Sequence, residues 1–95
     1  MIPPPAIIDG ATVLRVADVS EVAPTGQTLH VVKGEEAQAF AGLAIAAYDD
    51  DPGVYLLYCD DEWRAVTDTY HETLDAAIAQ AEFEFGPLTF VAVAG

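Results

Sequence analysis

The chain has few cations, a single cysteine and no long apolar run. Only three of its 95 residues are basic, Arg15, Lys33 and Arg64, against sixteen acidic ones, so the formal net charge is −13. Such a charge repels nucleic acids and anionic membranes and attracts basic molecules. The composition therefore predicts a basic protein partner and argues against nucleic-acid or membrane binding; the alternative is that the acidity serves only solubility in an acid-biased proteome.

Cysteine usage and the N-terminal sequence bear on the compartment. Cys59 is the only cysteine, which excludes an intrachain disulfide and a disulfide-stapled secreted scaffold. The start at residues 1–5 has neither the basic nor the apolar region of a signal peptide, and no apolar run approaches the roughly 20 residues that span a bilayer. We therefore expect a cytoplasmic protein.

We expect one domain, because the chain is too short for two and 53% of its residues are hydrophobic. Three consecutive prolines predict an extended arm over residues 1–11 with little secondary structure. β-Branched residues predict strands at residues 12–17 and 28–33. Residues 35–48 contain alanines and glutamates that favour a helix.

Gly42 and the aspartates at 49–51 argue against that helix, and we predict a strand over residues 42–48 instead. The turn-forming residues 49–53 then join it to Val54–Cys59 in an antiparallel hairpin. Val54–Cys59 is apolar on both faces, which predicts a central strand covered on one side by the helix and on the other by the arm or a second subunit.

The C-terminal half is expected to continue with a strand at Trp63–Asp68, a helix capped by Thr73 and ending near Phe85, and a strand at Leu88–Val93. The predicted helix places an apolar stripe on the sheet, formed by Leu74, Ala77, Ile78, Ala81 and Phe85. The expected fold is α+β: an antiparallel sheet of five or six strands with one C-terminal helix packed on one face.

Residues 55–85 resemble a family of small uncharacterised bacterial proteins with three motifs: aromatic-Leu-x-Tyr-Cys-Asp-x-x-Trp, Thr-Asp-Thr-aromatic-His and Gln-Ala-Glu-Phe-Glu-Phe. The matching residues are Tyr55, Leu56, Tyr58, Cys59, Asp60, Trp63, Thr67–His71 and Gln80–Phe85. The family brings no established activity. Small acidic proteins of this kind resemble immunity proteins that neutralise bacterial toxins, and the strand, strand, Thr-capped helix order resembles the HicB-type antitoxin domain.

Three groups of residues are candidates for a chemical site. Asp68, His71 and Glu72 lie where the predicted strand meets the helix, and Asp68 with His71 and Tyr58 could serve a small enzyme or ligand-binding domain. The acidic turns at 49–51 and 60–62 do not have EF-hand spacing, so no metal site is expected. Cys59 ends an apolar strand among acids and is expected to be buried and inert.

No phosphate-binding glycine loop, nucleophile elbow or paired cysteine ligand is present, so we expect neither an enzyme nor a cofactor. Phe83 lies opposite the apolar stripe, and an exposed phenylalanine between two glutamates would anchor a partner. The sequence thus predicts an immunity- or antitoxin-like module, with a structural homodimer as a further alternative. The expected partner-binding residues are Asp60, Asp61, Glu62, Trp63, His71, Glu72, Glu82, Phe83 and Glu84.

Overall fold

The computed structural model describes residues 2–20, 31–32, 35–36 and 40–93, with the backbone alone at 31–32 and 35–36. The strands are β1 Ile7–Ile8, β2 Ala11–Asp18, β3 Val31–Val32, β4 Glu35–Glu36, β5 Gly42–Ala47, β6 Val54–Cys59, β7 Ala65–His71 and β8 Val91–Ala92. The single helix of these residues, α1, spans Leu74–Phe85.

The main sheet has the order β1-β2-β5-β6-β7, with β8 also beside β2, and every pair in it is antiparallel. β3 and β4 form a separate two-stranded ladder. The α+β prediction is confirmed, as are the β5–β6 hairpin and the central place of β6. Of the strand predicted at 28–33, only residues 31–32 are described, as β3; the rest lies outside the described residues.

The last two strands differ from the prediction. β7 begins at Ala65 and not at Trp63, and it continues to His71 and does not end at Asp68, because Tyr70 and His71 pair with Tyr55 and Val54 of β6. The last strand is shorter than predicted and forms only at Val91–Ala92, where it pairs with β2. His71 is therefore a strand residue held in the sheet.

The N-terminal arm is more ordered than predicted. β1 turns back on β2 through Asp9 and Gly10, which both have positive φ, 50° and 83°. A two-residue loop with this backbone suits the right-handed twist of the paired strands, and Asp-Gly is a favoured sequence for it. The arm also accepts a hydrogen bond at the Ile2 carbonyl from Trp63 Nε1, at 2.8 Å.

Both faces of the sheet are covered. On one face α1 packs over a cluster that includes Leu43, Ile45, Leu56 and Tyr58, all fully buried. The other face holds a second buried cluster, to which Trp63 and Ile8 of the arm contribute. Its remaining members are smaller side chains of the sheet: Ala11, Val13, Val16, Ala44, Ala46, Leu57 and Cys59. This confirms the two-sided burial expected for β6.

The ends of α1 follow the predicted capping. Thr73 accepts a hydrogen bond from the amide of Ala76 at 3.0 Å, and the amide of Gly86 donates to the carbonyl of Glu82 at 2.8 Å. Gly86 has φ of 79°, a conformation that glycine adopts without strain. Ala77 and Ala81 are completely buried, so the helix lies close to the sheet.

No helix of the described residues is both long and apolar enough to cross a membrane.

Candidate partner-binding surface

Three tyrosines lie side by side on the sheet face opposite α1, at the end of the β5–β6 hairpin. Tyr55 stands between Tyr48 and Tyr70, with ring centroids 5.5 Å and 5.1 Å away and both contacts edge-on. Pairing of β6 with β7 brings Tyr55 opposite Tyr70. Tyr70 is 47% exposed and the other two are half-buried. With Asp51 of the adjacent turn, these residues are called the tyrosine surface below.

Asp51 joins the turn to the tyrosines. Its carboxylate accepts hydrogen bonds from the amide of Gly53 at 3.1 Å and from the hydroxyl of Tyr55 at 3.0 Å. These donors, the Gly53 amide first, hold the pKa of Asp51 below its usual value. The same carboxylate raises the pKa of Tyr55, whereas burial is the first cause of the raised pKa of Tyr70. Near neutral pH the surface therefore carries an ionised carboxylate beside neutral phenols.

This combination suits a cationic side chain. Aromatic rings attract cations through their quadrupole, and a nearby carboxylate supplies a charge-assisted hydrogen bond. Asp68 extends the acidic character along β7, because it is exposed and shares the face of Tyr70 two residues away. Asp49 and Asp50 are exposed in the neighbouring turn.

The candidate acid–base pair of Asp68 and His71 does not form. Asp68 pairs with Leu57, whose side chain belongs to the Trp63 cluster, while His71 pairs with Val54, which belongs to the cluster under α1. Since cross-strand partners share a face, the two side chains point to opposite sides of the sheet. The two side chains are separated because β7 continues through both residues to His71.

On the helix side, His71 takes part in a small polar cluster. Its Nε2 lies 2.8 Å from Thr69 Oγ1. Burial lowers the pKa of His71, and the charge of Glu84 opposes that shift. Within the described residues, no group of three or more acidic, histidine or cysteine side chains could hold a metal ion.

Glu84 is buried, with 3% of its surface exposed, so its assignment to an exposed acidic rim is wrong. Its Oε2 accepts hydrogen bonds from the Tyr58 hydroxyl and, at 3.1 Å, from Gln80 Nε2. Burial is the first cause of the raised pKa of Tyr58, and its hydrogen bond to Glu84 is the second. The helix turns Glu84 inward because it follows Ala77 and Ala81 by seven and three residues, which places all three on one face.

The outer surface of α1 agrees better with the prediction. Phe83 is 51% exposed, as expected from its position opposite the apolar stripe. Glu82 is also exposed, and one of its carboxylate oxygens accepts a hydrogen bond from the amide of Leu88 at 3.2 Å. Glu72 is exposed too, but it precedes the helix at the end opposite Phe83. The part of the helix around Phe83 is a second candidate contact surface, with one aromatic side chain.

The acidic residues of the turn before β7 form hydrogen bonds and ion pairs within the turn. Asp60 accepts hydrogen bonds from the amides of Glu62 and Arg64, both at 2.9 Å, and from Arg64 Nε at 3.0 Å. Arg64 also bridges to Glu62 at 2.6 Å. The Arg64 amide is the first cause that holds the pKa of Asp60 below its ordinary value. Asp60 and Glu62 thus stabilise the turn, and Asp61 is left exposed between them.

Two further side chains are largely buried. Trp63 is only 4% exposed and packs in the second cluster, so it offers little surface to a partner. It lines an apolar groove of about 640 Å³ together with Ile2, Pro3, Pro4, Val16, Ala17, Asp18, Thr89 and Val91. Cys59 is fully buried, and burial raises the pKa of its thiol to about 12, as expected for an inert cysteine.

The tyrosine surface is not apparent from the sequence. Tyr55 and Tyr70 are fifteen positions apart, and only the β6–β7 register makes them neighbours. The available signal was an aromatic residue on each of two successive predicted strands, but pairing them required the end of β7 to be placed correctly.

Comparisons with known proteins give no match: no family model, no curated protein and no solved structure is significantly similar to this chain. The resemblance of residues 55–85 to a bacterial family therefore stays a prediction. The site must be interpreted from its own geometry, which is that of an aromatic, acidic surface on an antiparallel sheet.

Proposed function

We propose that this protein is an acidic binding module that occupies a basic protein partner, in the manner of an immunity protein or antitoxin, and that the tyrosine surface is its main contact. The observation that carries the proposal is the exposed Tyr70 packed edge-on against Tyr55, next to the carboxylate of Asp51. Tyrosine is enriched among the residues that dominate binding energies at protein interfaces.

Preorganisation supports this role. Tyr55 is held by its neighbours on both sides and by the hydrogen bond to Asp51, so little side-chain freedom is lost when a partner binds. The hydroxyl of Tyr48 donates to the carbonyl of Asp9 at 3.1 Å, which fixes the outer ring as well. A rigid aromatic platform of this kind can receive an arginine or lysine side chain.

The net charge of −13 adds long-range attraction. A basic partner would be steered to the acidic chain at low ionic strength, and the aromatic contacts would then determine how tightly it stays bound. The tyrosine surface is favoured over the helix surface because it combines three aromatic rings with an ionised carboxylate, whereas the helix offers one exposed aromatic side chain, Phe83.

The test is affinity capture from the native host with the full chain at ~0.05 M and ~0.5 M salt, where shortening of the Debye length weakens electrostatic capture. A basic protein should be recovered at the lower salt and reduced at the higher. Tyr70→Ala should reduce its recovery more than Phe83→Ala, which removes an aromatic side chain of similar exposure. Failure to recover a basic protein at either salt would refute the proposal, and greater loss with Phe83→Ala would move the contact to the helix.

A further inference from the structure

The outer edge of β7 is open in the part of the chain that the structure describes. β7 is the last strand of the main sheet and pairs there with β6 alone. It is seven residues long. The backbone amides and carbonyls on the outer side of such a strand are a template for another extended segment.

This edge has few of the features that block strand addition. The sequence of β7 contains neither proline nor lysine. Its pairing with β6 is regular from Thr67 to His71. The one irregularity is at Val66, which β7 carries as an extra residue between Thr67, paired with Tyr58, and Ala65, paired with Cys59. The regular part presents the outer backbone groups of β7 next to the tyrosine surface.

The side chains on the exposed face of β7 indicate what would be recognised there. Val66 is 39% exposed, Tyr70 is 47% exposed, and Asp68 lies exposed between them. An added strand would set one of its own residues beside each of these. The complementary pattern is a cationic residue beside Asp68 with apolar residues two positions away on either side.

A second copy of the chain fits this edge poorly. Antiparallel pairing of two β7 strands about their midpoint would place Asp68 beside Asp68 of the other copy, and like charges directly opposite each other are destabilising. Two chains of net charge −13 also repel each other as they approach. A segment of a basic protein avoids both costs.

We propose that β7 accepts an extended segment of the basic partner as an additional strand, with a lysine or arginine beside Asp68 and apolar side chains beside Val66 and Tyr70. This inference rests on the proposed function and specifies how the partner binds. Main-chain hydrogen bonds would provide affinity, and the alternating side chains would provide specificity. Tyr70 belongs to both the edge and the tyrosine surface, so the two contacts are continuous.

The experiment is an NMR titration of the full chain with the blocked peptide acetyl-Thr-Val-Thr-Lys-Thr-Val-Thr-amide, with a second peptide carrying Glu in place of Lys. The lysine peptide should shift β7 amide resonances and slow hydrogen exchange at alternate β7 amides. Asp68→Lys should weaken its binding about tenfold and make the glutamate peptide the better ligand, because a favourable cross-strand charge pair becomes a repulsive one.

Asp75→Lys is the matched control, since it makes the same change of charge at an exposed residue of α1, which packs on the other face of the sheet. It should leave the preference for the lysine peptide intact. The inference is overturned by the absence of shifts at millimolar peptide, by shifts centred outside β7, or by an equal effect of Asp75→Lys. Sedimentation as a dimer with β7 already protected from exchange would also overturn it, in favour of the second copy.

Failure of this inference can be told apart from failure of the proposed function. If a basic partner is captured in a salt-sensitive, Tyr70-dependent manner but the lysine peptide leaves β7 unchanged, strand addition is refuted and the function stands. If the peptide protects β7 but no basic protein is captured from the host, strand addition at this edge is supported and the proposed function fails.

Discussion

Tyr58 on the central strand donates a hydrogen bond to the carboxylate of Glu84 near the end of the helix, and both side chains are buried. The bond links β6 to α1 across the main core. Gln80 donates to the same carboxylate, so the buried acid is held by two donors. This polar contact fixes the position of the helix on the sheet more specifically than the apolar stripe alone, since apolar contacts have little directionality.

Glu84→Ala should lower the free energy of unfolding by about 1–3 kcal/mol, because the Tyr58 hydroxyl and the Gln80 amide lose their acceptor in a buried position. Urea denaturation measures the change. Glu72→Ala removes an exposed glutamate and should alter stability by no more than about 0.5 kcal/mol. Equal unfolding midpoints for the two variants would mean that the buried hydrogen bond makes no net contribution.

Gly53→Ala should destabilise the chain and distort the tyrosine surface. A Cβ at this position would overlap the hydroxyl of Tyr70 and come within 2.6 Å of the carbonyl oxygen of His71. Because the second contact is with the backbone, we expect a loss of about 1–3 kcal/mol, typical of overpacking, in chemical denaturation. The added variant Tyr70→Ala should restore only part of the stability. Full restoration would show that the backbone contact is harmless.

Cys59 should resist thiol reagents in the folded chain. The side chain is fully buried, and a thiol whose pKa is raised to about 12 holds almost no reactive thiolate near pH 8. Labelling with a chromogenic disulfide should therefore occur only after unfolding, at a rate that rises with urea. Rapid stoichiometric labelling without denaturant would contradict the buried position.

His71 should make the folded state less stable in mild acid. Burial lowers its pKa below the ordinary 6.5, so the unfolded chain binds this proton more readily than the folded chain. Protonation of His71 therefore lowers the free energy of unfolding once the pH falls below the pKa of His71 in the unfolded chain. The loss stops growing below the pKa of His71 in the folded chain. The charge of Glu84 makes the fall in the pKa of His71 smaller without reversing it.

The measurement for His71 is a comparison with His71→Gln by urea denaturation between about pH 8 and about pH 5. The original chain should lose more stability than the variant over this range, because glutamine does not titrate. The remaining pH dependence, which arises from the carboxylates, should be common to both chains. Parallel pH profiles would show that His71 is equally free to protonate in both states.

Trp63→Phe should loosen the N-terminal arm. The substitution keeps an aromatic ring in the second cluster but removes the N–H that donates to the Ile2 carbonyl. We expect faster hydrogen exchange at Ile8 and faster proteolysis near Pro5, with a loss of stability of about 1 kcal/mol beyond that due to the smaller ring. Unchanged exchange in the arm would mean that β1 pairing alone holds it in place.

The predictions that succeeded depended on local patterns. The Asp-rich turn after Gly42–Ala47 and the two-faced apolar run of Val54–Cys59 were enough to identify the central hairpin. Thr73 and Gly86 marked the ends of the helix. The short hairpin at Asp9–Gly10 had a recognisable signal as well, which the prediction of an extended arm over residues 1–11 did not use.

The predictions that failed depended on which residues meet across the fold. Asp68 and His71 are close in sequence but lie on opposite faces, because β7 continues through both of them. Glu84 looked like a solvent-exposed acid, but the helix places it on the buried face of Ala77 and Ala81, where Tyr58 and Gln80 donate hydrogen bonds to it. Neither outcome can be derived from residue type alone.

The sequence by itself determined the strong negative charge, the antiparallel sheet with one capped helix, and the burial of Cys59, since these follow from composition, periodicity and capping residues. Only the tertiary structure decided that Tyr48, Tyr55 and Tyr70 form one surface beside Asp51, and that β7 ends the sheet with Asp68 on its exposed face. The physical reason is strand register, because a shift of one residue moves every side chain of a strand to the opposite face.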